Sequence, residues 1–285
     1  MQIHRQRVDG TDRSYRLSYA DWGTPGEAPA VVCVHGLTRN SRDFDTLAEA
    51  LSADGRVICP DMAGRGGSDP LADPGQYDIP AYADHMIQLI DRLGLGQVDW
   101  VGTSMGGLIG MAVAAADPGK IRRLVLNDIG PLIPEAAIER IRQYLGLDLS
   151  FVSLVQLEAH LRVIHATFGP LSDAQWRHMT EHSGLACDGG TWRLHYDPRI
   201  REGFMRLPDG DVEYWSTWDQ IRCPVLVLRG TESDILSAAI AAEMAQRGPG
   251  AEIVTFEGIG HAPALVAADQ IAVVRDWLRD ERDTA

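Results

Sequence analysis

The chain has 285 residues, 45% of them hydrophobic, and carries 40 acidic against 26 basic residues for a formal net charge of −14. This composition is ordinary for a globular protein, argues against disorder, and fits one large domain, or a domain with an insertion. The acidity argues against nucleic acid and anionic membrane surfaces as partners, since both would repel it.

The N-terminus, "MQIHRQRVDG", has no apolar stretch after its basic residues, so no signal peptide is expected and the expected location is cytoplasmic. No apolar run approaches the roughly 18 residues that span a bilayer. The first segments, "QIHRQRV" and "YRLSYADWG", alternate like an antiparallel hairpin at a sheet edge. Short apolar, β-branched runs then read as buried strands: "AVVCVHG", "GRVICPD", "QVDWVGTS" and "IRRLVLND", with "CPVLVLRG" and "AEIVTFEG" much later. Between them "IPAYADHMIQLIDRLG" places Ile79, Tyr82, Met86, Leu89 and Leu93 at helical intervals, with Pro80 suited to a first turn and Gly94 to a C-cap. "SAAIAAEMAQRG", with Ser237 as its cap, and the closing "ALVAADQIAVVRDWLRDE" also read as helices. Strand and helix in alternation predict an α/β fold with a mostly parallel sheet covered on both faces.

The alternation stops between Pro131 and Trp218. Here the sequence shows helical pieces ("PEAAIERIRQYLG", "SLVQLEAHLRVIHATFG", "SDAQWRHMTEHSG") and the aromatic segment "TWRLHYDPRI", but no convincing buried strand. The expected organisation is a core of residues 1–130 and 219–285, with residues 131–218 inserted between the sixth and seventh strands as a helical cap. Cys33, Cys59, Cys187 and Cys223 lack metal-like spacing, and three of them sit in strand-like runs, so free thiols in a reducing compartment are expected.

The stretch "GTSMGG" places Ser104 between Gly102 and Gly106, after a strand and before a helix. A strand-to-helix turn this sharp strains the serine backbone, and the flanking glycines remove side chains that would collide; Gly107 lets the helix pack close to the sheet. A serine hydroxyl is a weak nucleophile unless an imidazole takes its proton and a carboxylate orients that imidazole. His261, in "EGIGHAPAL", follows the last strand, and Asp234, in "VLRGTESDIL", follows the penultimate one, both at the carboxyl edge of the sheet. Donors for a developing oxyanion are expected from the backbone N–H groups of Met105 and Leu37.

Taken together, "VHGLT", "PDMAGRGGSD", "GTSMGG", the Asp234 loop and "GIGHAP" resemble the α/β-hydrolase fold family in order and spacing over the whole chain outside the cap. The resemblance implies an eight-stranded sheet, a Ser104–Asp234–His261 triad and an acyl-enzyme mechanism with no cofactor and no metal. A serine, not an aspartate, at the nucleophile position argues against the haloalkane dehalogenases and epoxide hydrolases of that family. Asp128, in "LVLNDIGP", sits where some members carry their acid; Asp234 is preferred because the penultimate-strand loop is the commoner position.

Other features have plainer readings. His35 is expected to brace the oxyanion loop, and "GRGGS" (64–68) to be a turn, since it lacks the lysine of a phosphate loop. His178 and His182, spaced i,i+4, lack a third ligand nearby and read as surface histidines on the cap. Trp176, Trp192, Trp215, Trp218, Tyr196, Tyr214 and Phe204 read as cap core with some pocket lining, and Arg193 and His195 as solvent-facing or substrate-orienting. The leading expectation is a serine hydrolase of a small carboxylic ester or lactone, acting as monomer or homodimer. Carbon–carbon hydrolysis of an aromatic ring-fission product is the alternative, although Ala262 and Pro263 follow His261 where that branch often has tryptophan. A small-molecule receptor without turnover is a third reading.

Overall fold

The computed structural model describes residues 1–26 and 28–280. Eight strands form the main sheet: β1 (Gln2–Asp9), β2 (Ser14–Trp22), β3 (Val31–Val34), β4 (Val57–Pro60), β5 (Val98–Thr103), β6 (Ile121–Asn127), β11 (Val225–Gly230) and β12 (Glu252–Phe256). Their order is β1-β2-β4-β3-β5-β6-β11-β12. β1 and β2 pair antiparallel, as do β2 and β4, and all remaining pairs are parallel.

The buried strands sort their side chains onto two faces with period two. Val32, Val34, Ile58, Trp100, Leu124, Leu126 and Val227 join one apolar core with α2 (Ile79–Arg92) and α3 (Met105–Ala116). Cys33, Cys59, Val101, Val125, Leu226 and Leu228 join the other, against α1 (Asp45–Leu51) and α10 (Ala268–Leu278). Because both faces are covered, the strands read in the sequence as continuous apolar runs. The cysteines are free, and burial pushes the Cys59 thiol well up from its ordinary value. α2 begins where expected: the Asp78 side chain accepts from the Ala81 N–H and Pro80 sits in the first turn. α9 (Ala238–Met244) is capped by Ser237, which accepts from the Ile240 N–H. Glu281, in the stretch expected to close the last helix, lies with residues 282–285 outside the described residues.

Between β6 and β11 the chain leaves the main sheet. This segment holds α4 (Glu135–Tyr144), α5 (Leu154–Ile164), α6 (Asp173–Ser183), α7 (Ile200–Phe204) and α8 (Trp215–Trp218). It also holds two small antiparallel pairs that hydrophobic patterning did not reveal, β7 (Leu132–Ile133) with β10 (Val212–Glu213) and β8 (Gly184–Ala186) with β9 (Trp192–Leu194). Strands of two or three residues are too short to show an alternation. Phe151, Leu157, Leu161 and Trp176 give the segment a small apolar core of its own. Among the described residues, no helix is long and apolar enough to cross a membrane.

Candidate active site

Ser104 stands between β5 and α3 with φ 51° and ψ −114°, a left-handed backbone that a non-glycine residue adopts only when its surroundings impose it. Two close approaches impose it here. A Cβ on Gly102 would lie 2.3 Å from the Gly106 carbonyl oxygen, and one on Gly106 would lie 2.0 Å from the Val34 carbonyl oxygen. α3 therefore packs directly on the sheet, with nine of its twelve residues buried. The turn holds the Ser104 hydroxyl at the carboxyl edge of the parallel strands, beside Gly36 in the loop after β3.

His261, after β12, meets that hydroxyl: its Nε2 lies 3.0 Å from Ser104 Oγ. Its Nδ1 lies 2.7 Å from Asp128 Oδ2. The carboxylate is thus not the expected one. Asp128 follows β6 directly, its N–H still bonded to the Leu228 carbonyl in the ladder, and its φ of 55° turns the side chain out of the sheet. It is fully buried and accepts further bonds from the Gly230 N–H (3.0 Å, to Oδ1) and the Ser233 hydroxyl (2.5 Å, to Oδ2). Asp234 points elsewhere and pairs with Arg140 of α4 at 2.8 Å, both side chains about half exposed. The physical reason lies in the loop after β11. Ser233 takes the position facing Asp128, and its Oγ also receives the Ile235 and Leu236 N–H groups, so the next residue is turned outward.

Leu37 and Met105, the expected oxyanion donors, flank this line. Among the described residues neither backbone N–H has a hydrogen-bond acceptor. Two buried groups hold the Leu37 loop. His35 Nε2 accepts from the Met62 N–H at 2.9 Å, so its Nδ1 carries the proton and donates to the Gly36 carbonyl at 2.7 Å. Burial lowers the His35 pKa to about 4, which keeps the ring neutral. Arg65, from the "GRGGS" turn, donates to the carbonyls of Leu37 (2.9 Å) and Ala63 (2.7 Å) and to the Tyr82 hydroxyl (2.6 Å). The turn reading of that motif holds, but its arginine is an interior brace that the sequence did not single out.

The segment after β6 covers the site. Thr167 donates to the His261 carbonyl at 2.6 Å, and the Gly260 N–H donates to the Thr167 carbonyl at 2.9 Å. A cavity of about 310 Å³ opens over Ser104 and His261. Its apolar lining includes Ile141, Tyr144, Ile164, Phe168, Leu171 and Met179. None of the seven aromatics singled out in the sequence lines it, and neither does Arg193 or His195. Trp176 and Trp218 are buried in packing instead. His165 does line it, and burial together with the nearby Arg39 charge holds its pKa well below the ordinary histidine value.

His178 and His182 do have a third group beside them, contrary to expectation. Asp45 of α1 lies 3.2 Å from His178 Nε2, and one ligand atom from each of the three falls within 4.8 Å of the others. The Arg42 guanidinium already takes the Asp45 carboxylate, at 2.8 and 2.5 Å, and reaches His182 Nδ1 at 3.5 Å. The positive charge that a metal ion would bring is supplied by arginine, and the cluster ties α6 to the core.

Chemically, a serine hydroxyl bonded to an imidazole whose other nitrogen donates to a buried carboxylate can lose its proton as it attacks a carbonyl carbon. The matching family model, described as the alpha/beta hydrolase fold, covers residues 29–268, and the chain belongs to that family. It is similar to a 3-hydroxybutyrate-oligomer hydrolase of Cupriavidus necator, 43% identical over 267 residues and 91% of each chain. It is also similar to a 2-hydroxymuconate semialdehyde hydrolase of Pseudomonas putida, 29% identical over 93% of this chain and 92% of that one. Among solved structures, an alpha/beta hydrolase from Novosphingobium aromaticivorans superposes with a TM-score of 0.86 at 37% identity, covering 97% of this chain and 98% of that one.

Proposed function

We propose that this chain is a serine hydrolase that cleaves the ester bonds of short hydroxyacid oligomers through an acyl-enzyme. The observation that carries the reading is the hydrogen-bonded line from Ser104 Oγ through His261 to Asp128 at the floor of the cavity. Ser104 attacks the ester carbonyl while His261 Nε2 takes its proton. Asp128 holds the proton on Nδ1 and stabilises the imidazolium that forms. The N–H groups of Leu37 and Met105, the latter opening α3, receive the oxyanion. His261 then passes the proton to the leaving alcohol, and water repeats the attack on the acyl-serine with His261 as base.

The substrate class is supported by the 43% identity to the 3-hydroxybutyrate-oligomer hydrolase, together with a cavity sized for a small ester. The carbon–carbon hydrolase reading rests on the more distant 29% relative. The test is a panel of short p-nitrophenyl esters and 3-hydroxybutyrate dimer, run beside a ring-fission dienoate, with intact-mass detection of fluorophosphonate labelling. The reading expects turnover of the dimer and one label per chain, lost in Ser104→Ala. Turnover of the dienoate with none of the dimer would replace the reading with carbon–carbon cleavage.

A further inference from the structure

The lining of the cavity over Ser104 has more arginines than carboxylates, the reverse of the balance in the chain. The protein carries a net charge of −14, yet among the described residues three arginines, Arg39, Arg42 and Arg140, line the cavity against a single carboxylate, Asp43. An anionic substrate approaching an acidic protein needs such a local reversal of sign.

The three arginines are not equally available. Arg39 is almost fully buried and spans both oxygens of Asp43, at 2.8 and 2.5 Å, while donating to the Ser183 hydroxyl at 2.8 Å. Arg42 is held by both oxygens of the largely buried Asp45. Releasing either would leave a partly buried carboxylate without its guanidinium. Arg140 differs. It projects from α4, in the inserted segment, in the same lining as Tyr144 one turn further on. Its ion-pair partner, Asp234, belongs to the core and does not line the cavity, and both side chains are 44–49% exposed. A pair this accessible is weak and exchanges readily.

We infer that Arg140 is the carboxylate-binding residue of this cavity, giving up Asp234 to pair with the free carboxylate of an anionic ester. The inference rests on the ester-hydrolase reading and deepens it. A hydroxyacid oligomer carries a carboxylate at one end, which the planar guanidinium fork can take with two parallel N–H bonds, whereas a neutral ester of the same length has no such group. Asp234 is then the internal competitor that occupies the arginine between turnovers. Arg140 acts at a distance from the reacting bond, so it governs which ester binds.

The experiment compares the full chain and its variants on 3-hydroxybutyrate dimer as the free acid and as its methyl ester, and reads the ratio of the two kcat/KM values. Arg140→Gln is expected to lower the acid-to-ester ratio about tenfold, mainly through KM for the acid, the scale of one accessible charge-assisted contact. Arg140→Lys should restore part of the ratio, since charge is kept and the fork lost. Asp234→Asn should move the ratio the other way, because the competitor is gone. Added salt should lower the wild-type ratio and leave that of Arg140→Gln flat. Equal loss on both substrates in Arg140→Gln would mean a structural role and overturn the inference, as would a ratio insensitive to both substitutions. Wild-type protein that turns over neither ester would remove the parent reading. Turnover of both with an unmoved ratio would remove only the Arg140 subsite.

Discussion

Replacing Asp128 by Asn tests the assignment of the acid with almost no change in shape. Its Oδ1 accepts from the Gly230 N–H, and its Oδ2 accepts from both Ser233 Oγ and His261 Nδ1. An asparagine has one oxygen and one NH₂ for these positions. If the oxygen stays on Gly230, the NH₂ faces His261, and the imidazole must shift its proton to Nε2. That nitrogen, 3.0 Å from Ser104 Oγ, can then no longer take the serine proton. If the amide flips, its NH₂ meets the Gly230 N–H, donor against donor, in a buried site. The buried clash disfavours the flipped arrangement, the other forfeits the base, and the wrong-tautomer penalty in such a triad is about 10⁴ in kcat, or roughly 5 kcal/mol of transition-state stabilisation. Asp234→Asn removes one half-exposed ion pair, worth about 0–1 kcal/mol. Initial rates on a p-nitrophenyl ester at pH 7.5 should therefore show a drop about a thousandfold greater for Asp128→Asn than for Asp234→Asn. The reverse ranking in folded variants would refute the assignment and restore Asp234.

Further consequences concern the scaffold. Gly106→Ala puts a methyl group 2.0 Å from the Val34 carbonyl oxygen, which is backbone and cannot swing away; it should cost about 3 kcal/mol or more in denaturant titration, and a loss under about 0.5 kcal/mol would contradict the packing. Arg65→Met leaves the Leu37 and Ala63 carbonyls and the Tyr82 hydroxyl without their buried donor, so both the unfolding midpoint and kcat should fall, the latter about tenfold through the oxyanion loop; a variant that loses stability alone would sever the brace from catalysis. His35 has a folded pKa lowered to about 4, beneath its ordinary 6.5, so the unfolded chain binds the extra proton. That contribution is fully present above about pH 6.5 and is lost as pH falls toward 4, up to a few kcal/mol. Urea unfolding between pH 4 and 7 should show a shallower pH slope in His35→Gln, and identical slopes would refute the linkage.

The sheet, the serine turn and the histidine were legible in the sequence for a shared reason. Each depends on local pattern: continuous apolar runs for strands buried on both faces, and glycines where Val34 and Gly106 carbonyls crowd the Ser104 turn. The acid was not legible in the same way. Asp128 and Asp234 both follow strands at the same sheet edge, and which one reaches His261 depends on the left-handed turn at Asp128 and on Ser233 folding inward, neither of which has a sequence period. The cavity lining was also hidden. The aromatics that stood out in the sequence went into packing, whereas Arg140, Tyr144 and Phe168 entered the lining through the way the inserted helices lie over the core. The partner of His178 and His182 came from Asp45, more than a hundred residues away in sequence, which no spacing rule reaches.

Hydrolysis of 3-hydroxybutyrate dimer by wild-type protein and by Ser104→Ala, with folding of both confirmed by thermal unfolding, bears most directly on the central claim. Ser104 as the nucleophile of an ester hydrolase predicts steady multiple turnover by the wild type and a loss of at least about 10⁴-fold in the variant. A folded Ser104→Ala protein that hydrolyses the dimer at a rate near wild type would contradict it.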